Sequence, residues 1–281
     1  MDRVRIGAVE YLNARPLTHG LERHSRFDVR FDLPARCADL LHAGQTDLGL
    51  IPSIEFLRAP AGPEIYRIVP EVAITSRGTV ASVAIFTTRD MRNVRSVALD
   101  TSSRTSVALT RVMCARVFDI APTFEPQGPD LPSMLSRADA ALIIGDKALF
   151  LESGPVEIER DGVRQTVDVQ KVDLGALWLQ TTGLPFVYAF WAGRAGLLTP
   201  DDVRVLIDTR DRSASLTQEI GALYFPDDAG RQAVADRYLR DNIKYVFGPD
   251  ERAGLERFYQ YAAEAGVVPR AVTPAFFENP S

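Results

Sequence analysis

Short apolar runs alternate with polar loops and helical stretches along the first half of the chain, and the alternation occurs twice. Val-Arg-Ile-Gly-Ala-Val-Glu (4–10) lines up with Val-Arg-Ser-Val-Ala-Leu-Asp (94–100). Each run leads into a polar loop and then a helical pattern, over 16–23 and 105–118. A second strand-like stretch follows, at 27–33 and 123–125, and then another amphipathic helix. Asp-Leu-Gly-Leu-Ile-Pro-Ser (47–53) finally matches Asp-Ala-Ala-Leu-Ile-Ile-Gly-Asp (139–146). Alternating short strands and helices predict parallel sheets with helices on their faces. Two units of similar length predict two lobes.

Two longer apolar runs bracket the second unit. Ser-Val-Ala-Ile-Phe-Thr-Thr (82–88) and Leu-Pro-Phe-Val-Tyr-Ala-Phe-Trp-Ala-Gly (184–193) are each long enough to leave one lobe and enter the other. The C-terminal third reads as helical. Thr-Pro-Asp-Asp (199–202) carries an N-cap, a proline at N1 and an acidic first turn, and Pro-Asp-Glu (249–251) opens another helix similarly. Val234, Tyr238, Ile243, Val246 and Phe247 suit a helix packed back onto the first lobe. The predicted architecture is a two-lobed α/β protein, each lobe a mostly parallel sheet flanked by helices, with two crossover strands. Lobe one takes residues 1–88 plus 190–281, lobe two 89–189, and a ligand cleft lies between them. In such sheets ligands sit beyond the carboxyl ends of the strands. That rule turns the loops at 10–15, 52–53, 100–106 and 145–146 toward one cleft.

Composition fits this picture. A chain of 281 residues exceeds what one core usually holds, and 46% hydrophobic with 25% charged residues is ordinary for a globular protein. The net charge of -5 argues against nucleic-acid and acidic-membrane partners. No apolar run approaches the ~18 residues of a membrane span. No charged leader with an apolar segment precedes Val4, so a cytoplasmic protein is expected, as a monomer or homodimer. Cys37 and Cys114 fall in separate helical patterns and read as buried free thiols. No Cys/His cluster has metal-ligand spacing, so no metal is expected.

The loop Asp-Thr-Ser-Ser-Arg-Thr-Ser (100–106) holds the most chemistry. A strand opening through hydroxyls into a helix start builds an anion pocket from free N–H groups, O–H donors and the positive end of the helix dipole. Thr101, Ser103, Thr105 and Ser106 supply hydroxyls, and Arg104 a planar fork for a carboxylate or phosphate. The plainer reading is a well-capped helix. In the first unit's equivalent loop, Tyr11 offers a ring with a polar tip and Asn13 both a donor and an acceptor, although Asn13 would also serve to cap the helix opened by Pro16. Pro52 and Ser53 end a strand, and Ser82 heads the first crossover. Gly145 permits close backbone approach, while Asp146 could bind a ligand hydroxyl or pair with Lys147 or Arg104. Pro185 and Phe186, after a polar turn, suit a hinge or a lining position. His19, His24 and His42 all lie in helical patterns of lobe one, away from these loops. There is no nucleophile elbow, Gly-Lys-Ser phosphate loop or dinucleotide fingerprint. Catalysis here would move protons through a carboxylate, a hydroxyl, water or the substrate itself.

Tyr11-Leu12-Asn13 with Pro16-Leu17, then 47–53, 100–106, Ile144-Gly145-Asp146 and Leu184-Pro185-Phe186, occur in the order of the menaquinone-biosynthesis family with a type II periplasmic-binding-protein fold. The chain resembles that family over nearly its whole length, and the Ser-Ser-Arg-Thr-Ser and Tyr-Leu-Asn stretches are the specific parts. Within the family it most resembles the members that open the futalosine route. The resemblance implies removal of water from chorismate, giving 3-[(1-carboxyvinyl)oxy]benzoate, with no cofactor. Aromatisation drives such a reaction, so the protein must mainly orient the substrate and hold charge. On this resemblance Ser103, Arg104, Thr105 and Ser106 grip a carboxylate at the helix start. Asn13 and Ser82 are the catalytic positions, placing the departing hydroxyl or the enolpyruvyl carboxylate, and that carboxylate takes the ring proton. Tyr11, Pro52, Ser53, Thr101, Gly145, Asp146, Pro185 and Phe186 complete the expected substrate contacts. The sister enzyme that makes 1,4-dihydroxy-6-naphthoate resembles the chain less well in the two specific loops. A small-anion-binding protein without catalysis is the alternative of a different class. A transcription-regulator effector lobe would call for a helix-turn-helix segment, and none precedes Val4.

Overall fold

A computed structural model describes residues 3–60 and 62–280, so positions 1, 2, 61 and 281 of the expected lobe one lie outside the described residues. The chain begins with β1 (Val4–Val9), α1 (Arg15–Thr18), β2 (Phe27–Asp32), α2 (Pro34–His42), β3 (Leu48–Pro52) and β4 (Tyr66–Ser76). The helical pattern at 16–23 is broken into pieces, because Gly20 takes φ +85° and turns the chain into a separate 3-10 turn at Leu21–Arg23. Next come β5 (Val83–Thr87), β6 (Ser96–Asp100), α3 (Arg104–Arg116), β7 (Thr123–Gln127), α4 (Leu131–Arg137), β8 (Ala140–Ile144), α5 (Gly145–Leu149), β9 (Gly154–Arg160) and β10 (Val163–Asp173). The remainder is α6 (Leu174–Thr182), β11 (Phe186–Arg194), α7 (Pro200–Ser213), α8 (Thr217–Tyr224), α9 (Ala229–Arg237), β12 (Lys244–Phe247) and α10 (Pro249–Glu264).

These strands form two six-stranded sheets, ordered β12-β4-β11-β3-β1-β2 and β7-β6-β8-β5-β10-β9. The repeat in the sequence is a repeat of topology. β1, β2 and β3 hold the same places in the first sheet as β6, β7 and β8 in the second, and both triplets are parallel. The other pairings are antiparallel, so each sheet is mixed rather than mostly parallel. The antiparallel half of each sheet holds one of the two long apolar runs.

Those runs do not cross between lobes as expected. β5 pairs with β8 and β10 in the second sheet, and β11 pairs with β3 and β4 in the first. All of β5, and all of β11 but Arg194, is buried, which fixes each run as a full strand of one sheet. The passages between lobes are the loop at 77–82 and helix α6 with the turn after it. The sheets therefore divide the chain at 3–76 plus 186–280 and at 83–173, instead of at 88/89 and 189/190. The two passages are tied together. Asp173 accepts hydrogen bonds from the Val80 N–H (3.1 Å), the Ala81 N–H (2.7 Å) and the Ala176 N–H at the start of α6 (2.9 Å).

Further differences from expectation have local causes. The hairpin β9–β10 turns at Asp161-Gly162, both with positive φ, as a two-residue turn of the type I′ kind requires. The helix expected to include Val246 and Phe247 ends earlier. α9 stops at Arg237, a π-turn spans Tyr238–Asn242, and β12 joins β4 as an edge strand. Burial there alternates, with Tyr245 and Phe247 inward and Val246 outward, which is the strand period. α7 begins with the expected Thr199 N-cap, which Asp202 reciprocates, and the Gly248 N–H donates to Glu251 at the start of α10 (3.0 Å). Cys37 and Cys114 are buried and free. Among the described residues no helix is long and apolar enough to cross a membrane.

Candidate functional site

The loop between β6 and α3 is folded by Asp100. Its buried carboxylate accepts from the Ser102 N–H (3.0 Å), the Ser102 hydroxyl (2.7 Å) and the Ile144 N–H (3.4 Å). Ser103 stands at the N-cap of α3 but makes no side-chain capping bond. Its Oγ accepts instead from the Ser106 hydroxyl at 3.1 Å, and both residues line a cavity between the lobes. The well-capped helix is therefore not what forms. The start of α3 presents hydroxyls and the positive end of its dipole to that cavity.

Opposite lies the loop after β1. Asn13 does not cap α1, whose N-cap is Ala14. Its Oδ1 is buried without a hydrogen-bond partner, while its backbone carbonyl accepts from the Tyr245 hydroxyl (2.9 Å). A buried amide oxygen left open is costly and marks a place for a donor from a ligand or water. Ser82, at the head of β5, is buried with its Oγ 2.7 Å from the Tyr238 hydroxyl. Gly145 has φ +66°, and a Cβ there would stand 3.1 Å from the Tyr11 ring. Burial pushes the Tyr11 hydroxyl up to about 12, so it stays protonated.

Tyr11, Asn13, Pro52, Ser82, Ser103, Ser106 and Gly145 thus meet in one cavity. It measures about 40 Å³, room for water but not for a ring-sized ligand. Its other lining residues, such as Val9, Ile74, Val83, Ile144 and Ala189, are apolar except for Tyr188. Among the described residues, none that lines it carries a charged side chain. Tyr11 also borders two open pockets on the outside, one against Arg15, His19 and Tyr224, the other against Asp100, Thr101 and Lys147. Its ring is therefore shared by the cavity and both outer pockets.

Seven expected contacts lie elsewhere. Arg104 does not face the cavity. Its Nη1 donates to Glu55 and its Nη2 to Asp39, each at 2.8 Å, across the lobe boundary. The cause is Glu55, a buried carboxylate that requires counter-charge and also meets Arg58 (3.2 Å) and His42 (3.5 Å). Burial alone would raise the Glu55 carboxyl, but the neighbouring His42 imidazole and the guanidinium groups of Arg104 and Arg58 hold it below its ordinary value. Thr105 Oγ1 accepts from the Ile54 N–H (3.2 Å) and lies 3.4 Å from Ser53 Oγ, which donates to the Val187 carbonyl (2.8 Å). Ser53 and Thr105 therefore join the lobes. Thr101 is exposed at the mouth of the cleft. Asp146 pairs with neither Lys147 nor Arg104. It accepts from the Leu12 N–H (3.3 Å) and the Tyr224 hydroxyl (2.5 Å), and burial raises its carboxyl. Phe186 packs on Trp178, Tyr188 and Phe258, and the Pro185 carbonyl accepts from the Trp178 indole (3.1 Å).

Sequence reasoning missed the tyrosines behind the site. Tyr188 lines the cavity with its hydroxyl 3.0 Å from Ser76 Oγ, while Tyr224, Tyr238 and Tyr245 hold Asp146, Ser82 and Asn13. The available signal was tyrosine within apolar stretches, where the buried ring obliges its hydroxyl to find a partner.

Two α/β lobes closed over a small, uncharged, hydroxyl-lined cavity define a protein of the periplasmic-binding-protein fold. Solved structures share it. A protein of Archaeoglobus fulgidus aligns with TM-score 0.68 at 13% identity, covering 95% of this chain and 98% of the other. The periplasmic aliphatic sulphonate binding protein of Escherichia coli aligns with TM-score 0.60 at 15% identity, covering 100% and 95%. The chain belongs to the menaquinone biosynthesis family, whose model matches residues 4–264. It is 31% identical over 280 residues to the chorismate dehydratase of Thermus thermophilus, covering 97% of each chain.

Proposed function

We propose that this protein removes water from chorismate to give 3-[(1-carboxyvinyl)oxy]benzoate, as a cofactor-independent carbon–oxygen lyase of the futalosine route, working in the cytoplasm. The Thermus relative suggests the reaction. The observation in this chain that carries it is the cavity lining, which combines hydroxyls, an open amide oxygen and a helix start with no charged side chain.

In this reading Ser103 and Ser106, with the dipole of α3, receive one carboxylate. Asn13 orients the enolpyruvyl group. Among the described residues the lining's titratable groups are Tyr11 and Tyr188, both raised by burial, so it supplies no base at neutral pH. The enolpyruvyl carboxylate of the substrate takes the proton from the ring carbon beside it. Arg104 being engaged with Asp39 and Glu55, that carboxylate meets no cation in the cavity, and poor solvation keeps it basic. The ring carbon–oxygen bond breaks, the ring becomes aromatic, and the abstracted proton leaves with the hydroxyl as water. Pro52, Gly145 and Tyr11 shape the walls.

The test is incubation of the purified protein with chorismate, followed by mass spectrometry. A product lighter by one water is expected. Tight binding of chorismate without turnover would instead make the protein a binder.

A further inference from the structure

Tyr238 is the first residue of the π-turn Tyr238–Asn242, a rare backbone form that recurs at functional sites. Its side chain is fully packed, and its hydroxyl lies 2.7 Å from Ser82 Oγ. Among the described residues Ser82 Oγ is the acceptor within its hydrogen-bond reach, the neighbouring Asn13 Oδ1 making no hydrogen bond to it. A buried O–H without an acceptor is costly, whereas a hydroxyl oxygen with a spare lone pair is not, so Tyr238 donates and Ser82 accepts. Burial holds the Tyr238 phenol well above its ordinary range, which keeps that proton in place. The Asn13 side chain lies beside the same hydroxyl and offsets part of the shift. The Ser82 N–H is directed to the Val80 carbonyl at 2.8 Å, so it does not compete. The proton of Ser82 itself is then left for the cavity that Ser82 lines.

We propose that Tyr238 is a positioning residue which, by filling the acceptor side of Ser82, fixes the Ser82 hydroxyl as a donor aimed at the hydroxyl leaving the substrate. This rests on the dehydration proposed above. Protons balance without any net transfer from the protein. The substrate carboxylate takes the ring proton, and the carbon–oxygen bond breaks while Ser82 donates a hydrogen bond to the departing oxygen. The carboxylic acid then returns its proton to that oxygen, and water leaves. Without Tyr238, Ser82 can rotate and offer its lone pairs, which would oppose the charge growing on the leaving oxygen.

Steady-state dehydration of chorismate by the wild type, Tyr238→Phe, Ser82→Ala and the double variant tests this. Tyr238→Phe should lower kcat by about tenfold or more with KM within about threefold, since the bond acts in the transition state. The double variant should be no slower than Ser82→Ala, because both changes remove one device. A Tyr238→Phe kcat within twofold of wild type, or losses that multiply in the double variant, would overturn the proposal. If Tyr238→Phe does not fold in a thermal melt, 3-fluorotyrosine at position 238 keeps the shape and strengthens the donor. Its kcat should equal or exceed wild type, and a tenfold fall would count against Tyr238. Wild-type protein that leaves chorismate unchanged overturns the dehydration reading and this inference together. Wild-type turnover with an unaffected Tyr238→Phe overturns this inference alone.

Discussion

Arg104 of α3 donates to Glu55 at 2.8 Å, joining the second lobe to a buried carboxylate of the first. The second arm of the guanidinium reaches Asp39 at the same distance, so one side chain latches the lobes at two points. Arg104→Met should strip the buried Glu55 of its closest ion-pair partner and cost about 3 kcal/mol of stability. The radius of gyration from small-angle scattering should rise as the cleft opens. An unchanged melting temperature with an unchanged scattering curve would mean the latch contributes nothing.

The same pair sets an acid limit. The Glu55 carboxyl is depressed below its ordinary value, so the folded state binds that proton less readily than the unfolded chain. Its contribution to stability is complete above the unfolded value and is lost as pH falls through the depressed one. Glu55→Gln should therefore flatten the fall of melting temperature below about pH 4.5 relative to wild type. Parallel acid profiles would contradict this.

Gly145 and Tyr11 pack together where the cavity meets the outer pockets. Gly145→Ala places a Cβ at positive φ and 3.1 Å from the Tyr11 ring. It should lose about 1–2 kcal/mol from the backbone alone, and the displaced ring should leave the cavity open. Tyr11→Ala in the same background should restore part of the stability, as a melt of the single and double variants would show.

Asn13→Ala removes the open amide oxygen. If the Asn13 amide N–H orients the reacting carboxylate, kcat should fall by about a hundredfold or more while chorismate affinity changes far less. Calorimetry beside turnover separates the two, and retained turnover would end the assignment.

Ala81 sits at φ +64° in the loop between lobes, held there by the Asp173 carboxylate. A left-handed alanine costs about 1–2 kcal/mol, part of which glycine returns as chain entropy in the unfolded state. Ala81→Gly should then raise stability by up to about 1 kcal/mol, and Asp173→Ala should lower it by about 2 kcal/mol through stranded N–H groups. Thermal melts of both variants give the answer.

The sequence carried the strands, the repeat and the cavity loops, because each depends on patterns within a few residues. β1 to β3 and β6 to β8 are legible from apolar runs alone, and their equivalence follows from their order. What it could not carry was partnership over long separations. Arg104 looks like an anion fork until Asp39 and Glu55, far upstream, are seen to occupy it. Ser53 and Thr105 have the right hydroxyls, but Ser53 donates to the Val187 carbonyl and Thr105 accepts from the Ile54 N–H across the lobe boundary. β12 was hidden because four residues after a helix are too few for a period to show. The tyrosines that hold Asn13, Ser82 and Asp146 come from α8 and the segment after α9, and their reach depends on how those elements fold back.

A cleft latched shut around 40 Å³ cannot admit a ring. Any ligand of that size must wait for the lobes to part, so capture is gated by a first-order motion of the protein. In rapid mixing, the observed binding rate should climb with ligand concentration and then level off at the opening rate. Loosening the joint at Arg104 should lift that plateau even where it weakens the fold.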